Sequence, residues 1–197
     1  MIANIDRTWF TADQHFDHSN IIEYADRPFS HVDEMNNILI QRWNMNIGPN
    51  DTVYLLGDFT LGADAQNFFS RLNGKINVLA NYTHHDRRWL ENFNLAFYRS
   101  MSGQYVHLEP PLLTLRFDNV KKNGRLLPIA LCHFPLAVWE NKHYGAIHLH
   151  GHSHGKYIPA GTAIWEKGFI WDVGVDNNDF CPVSLRQVLD RFEIRAE

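Results

Sequence analysis

The amino-acid sequence predicts an α/β domain built around parallel β-strands. Short apolar segments alternate with helical segments in the first half of the chain, which is the pattern of consecutive βαβ units. The 197 residues are 45% hydrophobic and 20% charged, so they can bury one sizeable core. No internal repeat, low-complexity segment or linker interrupts them, and we therefore expect a single domain over residues 1–197.

Three strands are predicted in the first half, and each of them ends in polar side chains. They cover residues 8–11, 52–56 and 75–80. The second is a near-continuous apolar run, which is typical of a strand that is covered on both faces. A helix with its N-cap at Ser30 follows the first strand, and another helix over 63–72 precedes the third.

The second half of the chain is predicted to contain more strand than helix. The strand candidates are 95–101, 105–108, 112–117, 126–132 and 169–175. A short helix is predicted over 136–139, and a final helix is predicted to begin after an N-cap at Ser184. Residues 146–150 then lead into a histidine-rich segment.

Net charge and cysteine content argue against several classes of partner. The formal net charge is -4, so the chain lacks a general electrostatic attraction to nucleic acid or acidic lipid. Its two cysteines, Cys132 and Cys181, are expected to be free thiols in a reducing compartment. Without a bilayer-length apolar run or a signal peptide, the sequence predicts a cytoplasmic protein with no membrane partner.

The histidine-rich segment places an imidazole at every second position from His148 to His154. In an extended segment these side chains would point to one side, because strand side chains alternate with a period of two. Imidazole is the commonest metal ligand, and the chain contains 12 histidines. The alternative is a solvated histidine-rich turn. We expect the segment to complete a metal site whose other ligands come from earlier in the chain.

Metal-type ligands follow the ends of several predicted strands. They are Asp13, His15, Asp58, Asn81, His133, His152 and His154. Ligands collect outside the carboxyl ends of strands in open α/β sheets, so position and chemistry agree. Imidazoles and carboxylates without a thiolate suit manganese, iron, zinc, cobalt or nickel. The alternative for Asp13 and Asp17 is that they cap a helix beginning near residue 19.

Seven candidates exceed the four ligands of one tetrahedral ion. They suffice for two ions about 3.5–4 Å apart if one carboxylate bridges the pair. Such a pair lowers the pKa of a bridging water and stabilises both the attacking and the leaving oxygen in a displacement at phosphorus. The ligand set therefore favours a dinuclear centre.

The order of these motifs resembles the calcineurin-like metallophosphoesterase superfamily over nearly the whole chain. The motifs are Asp13-x-His15, Gly57-Asp58, Asn81 after a strand, a lone His133, and Gly151-His152-x-His154. Five further segments, 27–29, 53–59, 72–74, 133–135 and 174–176, resemble a small prokaryotic and phage branch of it. The resemblance implies a four-layer α/β sandwich of two mixed β-sheets flanked by helices, with the metals at strand ends.

The resemblance also implies a role for each ligand. Asp13, His15 and His154 would hold the first of two divalent transition-metal ions, and Asn81, His133 and His152 the second. Asp58 would bridge them. A metal-bridging hydroxide would then hydrolyse a small phosphate-ester substrate, either a phosphomonoester or a phosphodiester.

The third motif departs from the family pattern. The family usually reads Gly-Asn-His-Asp there, whereas Asn81 is followed by Tyr82, and a His-Asp pair comes only at His85 and Asp86. A general acid must come within hydrogen-bond reach of the leaving oxygen, directly or through one water. The first candidate is His85 oriented by Asp86, and the second is His84. The remaining alternative is that neither histidine reaches the leaving oxygen, in which case only esters with good leaving groups would react.

Two other hypotheses remain open at the level of sequence. One is a non-catalytic, metal-dependent binding module on the same fold, although a vestigial site would be expected to lack some of its ligands. The other is a nuclease variant that acts on nucleic acid, which the net charge of -4 does not favour. His18 and His150 are predicted to support the site or to contact the substrate.

Overall fold

Two β-sheets lie face to face in the structure, a computed structural model that describes residues 4–82, 84–156 and 169–194. Each sheet is mixed, because a parallel set of strands carries one antiparallel strand at its edge. This arrangement confirms the predicted fold class, an α/β sandwich of two mixed sheets.

The first sheet contains the three strands predicted in the first half of the chain. In spatial order its strands are β11 (Val183–Ser184), β1 (Thr8–Thr11), β2 (Thr52–Leu55), β3 (Lys75–Leu79) and β4 (His107–Glu109). Strands β1 to β4 run parallel, and β11 pairs antiparallel with β1. The predicted bounds of β1, β2 and β3 agree with the structure to within one residue.

The second sheet is built from the later part of the chain. In spatial order its strands are β10 (Phe169–Asp172), β9 (Ile147–His150), β8 (Ile129–Cys132) and β5 (Leu112–Leu115). Strands β8, β9 and β10 run parallel, and β5 pairs antiparallel with β8. A separate hairpin consists of β6 (Lys121–Lys122) and β7 (Arg125–Leu126).

The helices are short, apart from the 15-residue helix that precedes β2. The α-helices are α1 (Ile21–Tyr24), α2 (Val32–Asn46), α3 (Ala65–Phe69), α4 (Arg87–Leu90) and α5 (Leu185–Arg191). Among the described residues, 3₁₀ helices cover His84–Asp86, Lys142–Tyr144 and Val175–Asn177. Ser184 caps α5 as predicted, in a reciprocal capping box with Gln187. Within the part of the chain that the structure describes, none of the helices has the length and apolarity needed to cross a membrane.

Helix α2 begins one residue later than predicted. Its N-cap is His31, whose Nδ1 accepts a hydrogen bond from the Glu34 backbone at 3.2 Å. The Glu34 carboxylate in turn accepts from the Ser30 backbone N–H at 2.6 Å. The reciprocal pattern expected of a capping box is therefore shared between Ser30 and His31, which moves the helix start.

Alternating side chains of the first sheet belong to two cores. Val53 and Leu55 are buried on the helix side, together with Met35 and Trp43 of α2. Leu56 lies in the other core, which joins it to residues of the second sheet such as Leu131 and Leu149. The near-continuous apolar run of β2 thus reflects burial on both faces, as the sequence predicted.

The outer face of the second sheet is covered by the segment between β8 and β9. Trp139 is buried there against Ala130 and Ala146. The predicted helix over 136–139 is wrong, since no α-helix forms before the 3₁₀ helix at Lys142–Tyr144. The Leu136 backbone N–H instead donates to the His148 side chain at 3.0 Å, so this segment lies along the sheet surface.

The predicted strand over 95–101 is also wrong. Only an isolated bridge between Arg99 and Tyr105 forms in that region. The side chain of Gln66 bonds both backbone groups of Arg99, accepting from its N–H at 2.8 Å and donating to its carbonyl at 3.1 Å. These side-chain hydrogen bonds take the place of the backbone pairing that a β-strand would have.

Strand register brings the predicted ligands to one end of the sandwich. Thr11 pairs with Leu55 and Leu55 with Val78, so three parallel strands of the first sheet end level with one another. Leu131 pairs with Leu149 in the second sheet in the same way. Side chains that follow these strands therefore meet at the same edge.

The four alternating histidines do not all point to one side. His148 and His150 lie on β9 and share its outer face, with ring centroids 5.6 Å apart. His152 and His154 lie beyond the end of β9, where the backbone turns. His148 is fully buried, and its Nδ1 donates to the Ala130 carbonyl at 3.1 Å. The single-face interpretation was wrong because the strand ends at His150.

Burial of His148 predicts a loss of stability in acid. Burial lowers the pKa of His148 from 6.5 to about 4, so the unfolded chain takes up its proton before the folded chain does. The free energy of unfolding should fall by about 2 kcal/mol from this group between pH 7.5 and pH 5. His148→Gln should lose that portion of the pH dependence in denaturant titrations. A variant with the full wild-type dependence would contradict this assignment.

Candidate metal centre

Five predicted ligands occupy the left-handed region of backbone conformation. The φ angles are 62° for Asp13, 53° for His15, 52° for Asp58, 65° for His152 and 45° for His154. L residues with side chains rarely adopt such angles, and strained positions of this kind cluster at functional sites. The loops after β1, β2 and β9 are thus bent to direct these side chains into one place.

One cluster unites Asp13, His15 and His154. One ligand atom from each lies within 4.8 Å of those of the other two. Asp13 and His15 are buried, and the rings of His15 and His154 stack with centroids 5.2 Å apart. This is the set that the family resemblance assigned to a first ion.

A second cluster unites Asp58, His133 and His152, again within 4.8 Å. The Asp58 Oδ2 atom lies 3.5 Å from His133 Nε2 and also 3.5 Å from His15 Nε2. One carboxylate oxygen therefore faces a histidine of each cluster. Asn81 follows the end of β3 by two residues, where its backbone N–H donates to the Leu79 carbonyl.

The orphaned ring nitrogen of His15 fits a metal ligand. His15 Nε2 is buried and makes no hydrogen bond, although buried polar atoms almost always have a partner. Burial also lowers the pKa of His15 well below 6.5, which keeps its ring neutral and its lone pair available. Nitrogen and carboxylate donors without a thiolate suit a divalent transition metal.

The two carboxylates of the site differ in electrostatic environment. Burial raises the pKa of Asp13 to about 7, against the opposing charges of His133 and His154. Burial would also raise the pKa of Asp58, but the hydrogen bond and charge of His133 outweigh it and hold that pKa well below its usual range. Bound cations would favour the ionised form of both groups.

Two glycines let the backbone close around the Asp13 carboxylate. A Cβ atom on Gly151 would lie 2.5 Å from Ala12 Cβ and 2.8 Å from Asp13 Oδ2, and one on Gly174 would lie 2.4 Å from the same oxygen. The His152 backbone N–H donates to both carboxylate oxygens, at 3.0 and 2.9 Å. Asp13 is thus held in one orientation by the loop that carries the predicted ligands His152 and His154.

His18 and His85 form a third cluster with His15. Ligand atoms of the three lie within 4.8 Å of one another, and the His85 ring centroid is 4.6 Å from that of His15 and 4.8 Å from that of His18. The Nδ1 atoms of His15 and His18 are 3.4 Å apart, so one ring donates to the other. The structure therefore places His85 beside the predicted metal ligands. The side chain of His84 lies outside the part that the structure describes.

Asp86 supports the loop that carries Asp58. Its buried carboxylate accepts hydrogen bonds from the backbone N–H groups of Phe59 and Thr60, at 2.9 and 3.2 Å, and from Trp89 Nε1 at 2.8 Å. Burial raises its pKa to about 6. Sequence reasoning had cast this residue as the partner that orients His85, and that role stays a prediction. The hydrogen bonds of Asp86 connect the loop after β2 to Trp89 of α4.

Sequence reasoning missed the side chains behind His154. The Asp176 carboxylate lies 2.6 Å from His154 Nδ1 and accepts two hydrogen bonds from Arg27, from Nε at 2.8 Å and from Nη2 at 2.9 Å. Arg27 and Asp176 are 149 positions apart, so periodicity could not pair them. The available signal was their presence in the segments 27–29 and 174–176, which carried only the family resemblance.

Comparison with known proteins identifies relatives without a stated activity. No family model matches the chain. An uncharacterized protein of Methanocaldococcus jannaschii, MJ1445, is 29% identical over 191 residues, which span 95% of this chain and 92% of that protein. The gene 66 protein of Mycobacterium phage L5 is 25% identical over 169 residues, or 77% of this chain and 79% of its own length.

A solved structure shares the fold. The crystal structure of AQ665 from Aquifex aeolicus, titled a protein of unknown function, aligns with a TM-score of 0.64 at 22% identity. The alignment covers 94% of this chain and 98% of AQ665. Likeness at this identity establishes the fold and leaves the activity to be argued from the site.

The packing around Asp13 predicts that Gly151→Ala will impair metal binding. The added methyl group would push against Ala12 and the Asp13 carboxylate, which should weaken Mn²⁺ binding at least about 10-fold and lower the free energy of unfolding by about 2 kcal/mol. Calorimetric titration and denaturant unfolding measure the two effects. Gly48→Ala is the control, because its Cβ would lie 3.7 Å from the nearest atom. Wild-type Mn²⁺ affinity in Gly151→Ala would contradict the proposed geometry.

Proposed function

We propose that the protein is a phosphoesterase that depends on two divalent transition-metal ions and hydrolyses a small phosphomonoester or phosphodiester. The observation that carries the proposal is the position of Asp58, whose Oδ2 lies 3.5 Å from a histidine of each cluster. A carboxylate shared in this way is the arrangement that a dinuclear centre requires. The resemblance to the calcineurin-like metallophosphoesterases points to the same chemistry.

The chain's own residues divide into two ligand sets around Asp58. Asp13, His15 and His154 would hold one ion, and Asn81, His133 and His152 the other. When bound, two such ions supply Lewis acidity at the phosphoryl oxygens and lower the pKa of a water between them. Asp13 and Asp58 are buried, so their charges would act on bound ions with little screening by bulk water.

The proton for the leaving group is assigned to His85. Its ring lies beside His18 and beside His15 of the first cluster. A histidine in that place can donate a proton to the oxygen of the departing alcohol. His84 is the second candidate. If neither residue reaches, turnover is confined to esters whose leaving group departs without protonation.

Removal of the Asp58 carboxylate tests the proposed function directly. Asp58→Ala should reduce hydrolysis of a nitrophenyl phosphate or phosphodiester at least about 1,000-fold, since it disturbs both ions. Metal analysis should also find fewer ions per chain than in the wild type. Asp33→Asn, which alters an exposed carboxylate in the first turn of α2, should retain full turnover. Wild-type turnover in Asp58→Ala, or after complete metal removal, would refute the proposal.

The role of His85 predicts a dependence on the leaving group. His85→Ala should slow hydrolysis of an alkyl phosphate about 100-fold, because its alkoxide leaves poorly without a proton. The same variant should hydrolyse a nitrophenyl phosphate at nearly the wild-type rate. His143→Ala, at an exposed position, serves as the control. An equal loss with both substrates would exclude His85 as the proton donor.

A further inference from the structure

We infer that Asp176 and Arg27 are positioning residues, which fix the ring of His154 so that its Nε2 atom faces the first ion. The inference rests on the proposed function, because it assigns His154 to that ion. It concerns side chains that act through His154 and that would not themselves touch a metal or a substrate.

The contact between His154 and Asp176 determines which ring nitrogen carries a proton. His154 Nδ1 lies 2.6 Å from Asp176 Oδ2, and an ionised carboxylate can only accept a hydrogen bond. Nδ1 must therefore donate, which leaves Nε2 as the atom available for a metal. A metal-ligating histidine almost always donates its other N–H to a carboxylate, carbonyl or water in this way.

Arg27 holds the Asp176 carboxylate in a fixed plane. Its Nε and Nη2 atoms donate to the two carboxylate oxygens at 2.8 and 2.9 Å, and the Arg27 side chain is fully shielded from solvent. A paired, rigid donor geometry of this kind is specific to arginine and is not reproduced by lysine. Asp176 thus has both a charge partner and a defined orientation before any ion binds.

The same guanidinium is anchored to the loop that carries Asp13. Nη2 donates to the Asp13 carbonyl at 2.6 Å, and Nη1 donates to the Gln14 carbonyl at 2.9 Å. Arg27 therefore connects the backbone around Asp13 and His15 to the residue that orients His154. Arg27 thus bonds the backbone of Asp13 directly and reaches His154 through Asp176, whereas its hydrogen bonds do not include Asp58, His133 or His152 among the residues described.

Because these bonds reach only the first cluster, we expect Asp176 and Arg27 to affect the binding of one ion and not of the other. Asp176→Asn keeps the shape of the side chain and removes its charge, so the ring of His154 becomes a weaker ligand in a less fixed orientation. Mn²⁺ titration of the full chain by calorimetry, with ion counting by mass spectrometry, should find one dissociation constant weakened 10- to 100-fold. The other constant should change less than about 3-fold. Arg27→Lys should weaken the binding of the same ion.

Asp51→Asn is a matched control for this experiment. Asp51 is also a buried carboxylate, and it accepts hydrogen bonds from Trp9 Nε1 and from the Gly48 backbone, each at 3.0 Å. It precedes β2 and so lies at the opposite edge of the sheet from the predicted ligands. Its variant should melt at a lower temperature and retain both Mn²⁺ affinities.

The outcomes separate this inference from the proposed function. Two ions bound by Asp176→Asn with wild-type affinity would overturn the inference and leave the proposed function standing. Equal weakening of the binding of both ions would also overturn the inference, because that result would indicate general damage to the fold. A wild-type protein that binds no Mn²⁺, Zn²⁺, Co²⁺, Ni²⁺ or Fe²⁺ would instead refute the proposed function itself.

A second measurement reads the protonated ring nitrogen of His154 in the unaltered protein and uses a variant only to assign the signal. Long-range ¹H–¹⁵N correlation of the zinc-loaded wild type reports which imidazole nitrogen carries a proton, and the His154 signal is assigned by its loss in His154→Gln. We expect the proton on Nδ1. A proton on Nε2 of His154 would overturn the assignment.

Discussion

Burial of the Asp13 carboxylate is the constraint on which the rest of the site depends. The side chain has no exposed surface, and burying an ionised carboxylate without compensation is strongly unfavourable. The protein supplies two N–H bonds from the His152 backbone and the nearby imidazoles of His133 and His154. Burial still raises the pKa of Asp13 to about 7, so these donors and imidazoles offset only part of the cost of burying its charge.

The constraint reaches into the backbone of several loops. Residues that approach Asp13 this closely must lack a Cβ atom, as Gly151 and Gly174 do. Five of the predicted ligands adopt positive φ angles, which the level strand ends and the surrounding hydrogen bonds must stabilise. Asp86 contributes by bonding the backbone of Phe59 and Thr60 next to Asp58. Hydrogen bonds between distant segments thus hold the loops that carry the predicted ligands.

A line of hydrogen-bonded polar side chains extends from the predicted ligand His154 away from the site. His154 meets Asp176, Asp176 meets Arg27, and Arg27 ends on the carbonyls of Asp13 and Gln14. Every member of this chain of contacts has a partner, which a buried polar network needs if it is to be stable. His148 of β9 has a different role, since it joins the Leu136 and Ala130 backbones on the far face of the second sheet.

The sequence by itself determined the parallel strands β1, β2 and β3, the capped helix α5 and the set of residues that could bind metal. Apolar runs, capping residues and polar strand ends are local patterns, so they can be read from neighbouring positions. Only the tertiary structure decided which of those residues meet, because the register of parallel strands brings together positions far apart in the chain. It ended β9 at His150, bonded Asp86 to the backbone after β2 and joined Arg27 to Asp176. Each of these depends on hydrogen bonds between distant segments, which no local pattern encodes.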